Sequence, residues 1–436
     1  MWLRIKRILS NKTVMLRLAF TLAILLVVRI GSHITVPLFD TTAIVDFMNQ
    51  SGSFVTILNN FSGQSLERFS ILALGISPYI TASIAIQLLQ MVIPQLKEWS
   101  DQGESGKQKI NQTTRYLAIA LAFLQGYALI IGVSVGPGTA LIPSLDASIT
   151  SSGIRYFFYI YMALIMAGGT AFMIWLAGLI TKKGVGNGTS LLIVAGIVTS
   201  LPTMWTTLWT KYIVGGTSGW SIVWFIVILL LYVGILLGVV YMQIATRKIP
   251  VQYANRQGKS DSNIPMKLNS AGVIPVIFAQ TIMSIPLTVA GFAGASGTGG
   301  WISNIFSTGK PIGFIVYVIL IVIFTFFYSF MTINPEKIAN NLSNSNAYVP
   351  GVRPGQDTQD YVAKLLFKIT VIGTTYLVIL AVLPILTSIV FGFTGNDAQA
   401  ITLGGTSLLI IVGVAIETTQ QIETDASQTD YSGIFN

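Results

Sequence analysis

Cysteine is missing from the chain altogether, and histidine occurs once, as His33. Disulfides and thiolate metal sites are therefore excluded, and one imidazole cannot furnish the His clusters that metals or proton relays use. Charge is nearly as scarce. Only 9% of residues are Asp, Glu, Lys or Arg while 53% are hydrophobic, against roughly one-quarter charged in soluble domains. That deficit fits a bilayer rather than water. Inside the long apolar runs the ionisable groups almost vanish, and no Asp, Glu or Lys falls near the middle of any run. Arg29 lies toward the outer end of the first run, where snorkelling toward the headgroups is expected. His33 follows one helical turn later as an interfacial residue, and Glu417 sits at the cytoplasmic end of the last run. Ion-coupled transporters and membrane enzymes keep ionisable groups at mid-membrane depth. None is available here, and no Ser-His or Ser-Lys pairing can form within the membrane. The expectation is a protein without catalytic residues, metal or cofactor.

What the chain has instead is apolar length. Ten runs can be drawn, at about 14–36, 69–93, 114–135, 154–180, 188–209, 219–245, 270–292, 312–333, 364–393 and 400–421, each near the roughly 20 residues that a bilayer requires. An all-α polytopic membrane protein with ten transmembrane helices is expected. Residues 1–12 are short and basic, and the first run is long enough to remain as a span and serve as its own targeting signal. Of the 25 Lys and Arg residues, only Arg68, Arg155, Lys211 and Lys310 fall in connections on one side of the membrane. All the others except Arg29 lie on the opposite side. The positive-inside bias makes that side, with both termini, cytoplasmic.

The runs repeat. The hexapeptide GTSLLI occurs as Gly188 to Ile193 and as Gly405 to Ile410, opening the fifth and tenth runs. Gly75-Ile76-Ser77-Pro78-Tyr79-Ile80 in the second run is echoed by Gly272-Val273-Ile274-Pro275-Val276-Ile277 in the seventh. Both pairs are five runs apart, which predicts two five-span halves, 1–211 and 212–436. Five is odd, so the halves cross the membrane in opposite senses. Inverted repeats place a pathway at the interface between halves, marked by Gly/Pro-interrupted segments at matching positions. On the second run Ile76, Ile80, Ser83 and Gln87 share one helical face. That face is aliphatic near mid-membrane and polar toward the cytoplasm. The repeats pair Ile80 with Ile277 and Ile193 with Ile410, so four helices supply one residue type to a constriction able to gate by dewetting.

Three connections on the cytoplasmic side, 94–113, 246–268 and 334–363, are long and polar, the kind that carries function. In the last, Arg353 stands in a Pro350-Gly351-Val352-Arg353-Pro354-Gly355 turn. The external connection 37–68 has apolar Phe54, Ile57, Leu58 and Phe61 at helical spacing. Either a re-entrant half-helix or an amphipathic helix at the outer interface fits it.

The runs LGISPYITASIAIQLLQ, DQGESGKQKINQTTRY, VGNGTSLLI, AGVIPVIFAQ, NPEKIANNL, AYVPGVRPG and LGGTSLLI resemble the SecY family, central subunits of the bacterial protein-conducting channel. The likeness extends from VRIGSHI in the first run to the tenth. It implies ten helices in two inverted pseudo-symmetric halves around an hourglass pore, through which unfolded secretory chains cross the bacterial plasma membrane or leave sideways into lipid. It further implies a pore ring of Ile76, Ile80, Ile193, Ile277 and Ile410, a plug over about 51–66 including Phe54, Ile57 and Phe61, and a lateral gate of spans 2, 3, 7 and 8 with Gln87 and Gln125. Arg256, Lys259 and Arg353 would belong to the surface that docks ribosomes and the SecA motor. SecE-like and SecG-like small subunits, signal sequences, unfolded polypeptides and the bilayer are the other partners implied. Three features depart from the pattern. Thr189 stands at a position often aliphatic in the family, loop 246–268 is short and holds Asp261, and the tail after Thr418 is acidic, with Glu423, Asp425 and Asp430. A secondary transporter is the alternative. It accounts for inverted repeats but calls for a midplane substrate or ion site, and the runs offer none.

Overall fold

The computed structural model describes residues 12–37, 59, 62–134, 152–215, 220–253, 262–293, 301–302, 305–306, 310–390 and 396–432. Along these residues run α1 (Lys12–Gly31), α2 (Ser77–Val92), α3 (Pro94–Asp101), α4 (Glu104–Ser134), α5 (Ser152–Lys183) and α6 (Gly188–Trp209), which ends in a π-helical turn at Thr210–Val214. They are followed by α7 (Trp220–Ile244), strands β1 (Thr246–Tyr253) and β2 (Ser262–Lys267), α8 (Ile274–Ala293), α9 (Pro311–Thr332), α10 (Pro335–Asn344), β3 (Ala347–Tyr348), α11 (Gln356–Val390) and α12 (Asn396–Ser432). A long helix lies at each place where an apolar run was drawn. Seven of them (α1, α4, α5, α6, α7, α9 and α11) are long and apolar enough to cross a membrane. The pair α2 and α3 makes an eighth if taken as one span bent by 106°.

Prolines set several of these starts. Pro78, Pro94, Pro311 and Pro335 each occupy the first turn of a helix, where a missing N–H costs nothing and the fixed φ is already helical. Asn334 caps α10 by accepting from the backbone N–H groups of Glu336 and Lys337.

The two halves pack alike. In the first, α2, α4, α5 and α6 follow one another as neighbours, and in the second α8, α9, α11 and α12 do the same. The first helix of each half breaks the likeness, since α1 lies on α5 whereas α7 lies on α12. Between the halves, α6 packs against α12 on one side, and α8 packs against α2 and α4 on the other. One apolar core lies in the first half around Leu66, Phe69, Met162 and Met166, and another in the second around Ile321, Leu377, Phe278 and Leu409, which also takes in Ile84 of α2.

Several connections differ from expectation. Loop 94–113 is not irregular, because α3 and the first turns of α4 fold it into a helical corner. A Cβ on Gly106 would overlap the Trp99 carbonyl oxygen, so the GESGK turn closes only with glycine there. Residues 246–253 and 262–268 form one unit with 334–363. β1 pairs with both β2 and β3 in antiparallel fashion. Ile249, Val251, Met266, Leu342, Val349, Val362 and Leu366 then bury against one another as a small core of their own. At the far end of the chain, Arg17 on α1 donates to Asp425 on α12 at 2.9 Å, which gives the acidic tail an internal partner.

Candidate functional site

The two proline-containing repeats build the same local structure. Gly75 and Gly272 have φ of 54° and 65°, a region glycine enters without steric cost. A helix then starts, and the same backbone bonds form in both copies. Tyr79 and Ile80 donate to the Ile76 carbonyl, and Val276 and Ile277 donate to the Val273 carbonyl, at 3.0–3.4 Å. The second span therefore begins as a helix at Ser77 rather than near residue 69, because Gly75 and Pro78 fix its start. The apolar residues before it, 66–76, are turns.

The hexapeptide repeats behave differently. At the first copy Gly186 takes φ 81°, Asn187 caps α6 by accepting from the Thr189 N–H, and a Cβ on Gly188 would overlap the Ala177 carbonyl oxygen. That copy does open a helix. The second does not, since α12 already runs from Asn396 and carries Gly405–Ile410 in its interior. Thr189, read as a departure within the ring, has a capping role instead, its hydroxyl donating to Asn187 Oδ1 at 2.8 Å.

These starts bring the five isoleucines into one apolar cluster. Ile76, Ile193 and Ile410 are buried in it with Leu72, Leu192 and Ile197, and half-buried Ile80 and Ile277 pack against it. The five isoleucines come from α2, α6, α8 and α12, two helices from each half, and the cluster extends onto α1 and α5 through Ile24, Met173 and Ile180. Val273, partly buried against the same cluster, was missed from the sequence, although the repeat aligns it with Ile76. The signal was there, obscured by the change from Ile to Val.

The turn at 62–69 is held by its own polar groups and by Asn59. Asn59 Oδ1 accepts from the Glu67 N–H at 3.0 Å, Ser62 Oγ donates to the Asn59 carbonyl at 3.0 Å and Ser65 Oγ donates to the Ser62 carbonyl at 2.6 Å. The Arg29 guanidinium, expected to reach toward the headgroups, donates to the Gly63 carbonyl at 3.0 Å, which ties this turn to α1. His33 Nδ1 lies 2.9 Å from the Arg29 carbonyl. Phe54, Ile57 and Phe61 lie outside the described residues.

Gln87 on α2 is half-buried and donates to Ser83 Oγ at 3.3 Å. Gln125 is half-buried on α4. Both helices border α8, so the two glutamines stand on helices of the same seam. On the β-sheet unit Arg353 is exposed. Its turn is fixed by Gly351 and Gly355 at φ 85° and 103° and by Thr358, whose hydroxyl donates to the Arg353 carbonyl at 2.7 Å. Arg256 and Lys259 lie outside the described residues.

Known proteins share this arrangement. Structures described as a protein conducting channel and as Sec61 in the canine ribosome-channel complex from the endoplasmic reticulum superpose with TM-scores of 0.60 and 0.57 at 18% identity, each covering 93% of this chain and 91% of theirs. The protein translocase subunit SecY of Staphylococcus aureus strain NCTC 8325 / PS 47 is 42% identical over 97% of both chains. That of Bacillus subtilis strain 168 is 42% identical over 96% of both. The SecY family model matches residues 70–419, the stretch that runs from the turn before α2 into α12 and holds all five isoleucines. On the motifs, the packing of the halves and these likenesses together, the chain belongs to the SecY family.

Proposed function

We propose that this chain is the channel subunit of a protein translocase, and that unfolded polypeptides pass between its halves through the cluster of Ile76, Ile80, Ile193, Ile277 and Ile410. The convergence of these five residues from four helices, at the meeting of two like halves and without an ionisable group among them, carries the reading. A path for unfolded chains must admit every side-chain type, so charged rings and tight hydrogen-bond sites would stall it. Aliphatic side chains hold nothing strongly and deform around the passenger. When they close on one another they exclude water and with it ions.

The seam of α8 against α2 and α4 is where the channel would open sideways, with Gln87 and Gln125 along it and the α6–α12 contact as the hinge opposite. Segment 51–66, with Phe54, Ile57 and Phe61, is the plug on the outer side, and the Arg29–Gly63 bond ties its end to α1. The small β-sheet unit, with Arg353 and the basic residues Arg256 and Lys259, is the docking face for a SecA-like motor and for ribosomes. Halves dividing near residue 211, cytoplasmic termini, a bacterial plasma membrane location and small SecE-like and SecG-like subunits complete the reading.

Purified complex in sealed vesicles, given motor, ATP and a radiolabelled preprotein, tests it. The preprotein should become protease-protected inside the vesicles. Ion-coupled uptake of a small solute without any preprotein, and no protection, would favour the transporter alternative.

A further inference from the structure

Two helices from different halves close on one turn. The turn is Gly184–Asn187, which joins α5 to α6, and it is met by the beginning of α1 and the end of α12. From α1, Thr21 Oγ1 accepts from the Val185 N–H at 3.1 Å and donates to the Arg17 carbonyl at 2.9 Å. From α12, Thr418 comes so near that a Cβ on Gly186 would lie 3.0 Å from its Oγ1. A Cβ on Gly184 would meet Thr21 Oγ1 at 2.5 Å, so α1 can lie this close only over glycine. Beyond the turn the two helices join directly, Arg17 Nη1 donating to Asp425 Oδ2 at 2.9 Å. An acidic residue in the tail after Thr418, a departure from the family pattern, thereby fastens the second half to the first.

This knot bears on both isoleucines of the repeated hexapeptide. α6 starts directly after the turn and reaches Ile193 in its second helical turn. α12 is one unbroken helix from Asn396 to Ser432, so Ile410 and Asp425 lie on a single rod about 22 Å apart, at about 1.5 Å per residue. Ile193 and Ile410 are buried in the same cluster. Tying Arg17 to Asp425 therefore fixes the far arm of the helix that carries Ile410, against the turn that positions Ile193. We propose that the Arg17–Asp425 pair is a latch that holds the two sides of the isoleucine cluster together in the closed channel, and that opening releases the α12 extension from α1. This rests on the channel reading above. The pair suits a latch better than a permanent brace, because its side chains are 53% and 25% exposed and water and salt compete for them.

The chain has no cysteine, so spin labels can be attached at chosen sites. Labels on Leu16→Cys and Gln421→Cys, both exposed positions, read the distance between α1 and the α12 extension. The otherwise unchanged chain should give a narrow distribution at low salt and a broad one at about 1 M salt, where the screening length falls to about 3 Å. Arg17→Asp or Asp425→Arg alone should broaden it at low salt, and the two together should restore the narrow form. In planar bilayers without preprotein, each single variant should raise resting ion conductance about 1.5- to 5-fold, the range for one part-exposed ion pair. The exchanged pair should return it to the parent's level. Asp425→Asn keeps every N-terminal cation, so it reports on the latch even if loss of Arg17 impairs membrane insertion. A narrow distribution in Asp425→Asn, or a resting conductance in that variant equal to the parent's, would each overturn the inference. Failure of the parent complex to protect a preprotein would instead overturn the channel reading, which the distance measurement does not depend on.

Discussion

Substituting Ile410 by Asn separates a seal from a structural core. Ile410 is 3% exposed and packs beside Ile76 and Ile193. Full burial of such a side chain is worth about 1.5–3 kcal/mol, and an amide placed among aliphatic neighbours without a partner costs about 1–3 kcal/mol more. Were the cluster an ordinary core, the whole of this would fall on folding. If it is a gate, the closed state alone carries the penalty, and opening hydrates the amide. Allowing for water already near the pore, about 2–3 kcal/mol remains, which at about 1.4 kcal/mol per decade moves the closed-to-open ratio by roughly 30- to 140-fold. Ile321, on α9 and 0% exposed, is the control, because it lies in the second half's core and outside the cluster that holds Ile410. In planar bilayers without substrate, Ile410→Asn should show frequent ion-conducting openings while the purified complex keeps its thermal midpoint. Ile321→Asn should lose folded complex without a selective leak. If Ile410→Asn behaves as Ile321→Asn does, the cluster is a core and the gating argument fails.

Other outcomes follow from individual contacts. Gly188→Ala sets a methyl against the Ala177 carbonyl, which has no rotamer by which to yield, so α5 and α6 must separate at a cost of about 1–3 kcal/mol or more. A lower thermal midpoint and reduced membrane abundance should result. Arg353→Glu should lower motor-driven transport at least tenfold and leave abundance unchanged, since the side chain is exposed and lysine at the same place would lack the planar fork. Normal preprotein protection by that variant would remove Arg353 from the docking face. Deleting 51–66 removes closed-state contacts, among them the Arg29–Gly63 bond. Resting leak should rise and defective signal sequences should be accepted more readily, whereas a leak equal to the parent's would favour an interfacial helix.

Much of the site was legible because it is written twice. Ile80 and Ile277 occupy the same place in a Gly-Pro repeat, and short-range backbone bonds then fix their positions without help from elsewhere in the fold. Ile410 was found through a hexapeptide whose second copy turned out to lie within a helix. It still reached the cluster, since α12 needs no start there to present that face. Residues 66–76 misled because FSILALGI has the hydropathy of a span, while the turns that form it are stabilised by partners such as Ile34 and Ser65. The β-sheet unit was missed for a related reason. Alternation at Ile249 and Val251 was visible, but the pairing of Gln252 with Tyr348 joins segments almost a hundred residues apart, and no local signal specifies such a partner. Arg29 shows the same limit. Its position suggested lipid headgroups, and the Gly63 carbonyl that captures it is brought there only by the folded turn.

The central claim is that the five isoleucines face one another across the path of a polypeptide. Photo-crosslinkers placed singly at Ile76, Ile80, Ile193, Ile277 and Ile410, with a secretory chain stalled in transit, measure this directly. Labelling of the passenger from all five, and little from exposed Ile222 or Ile319 on lipid-facing surfaces, is the predicted result. Labelling of lipid from Ile193 and Ile410 would contradict it.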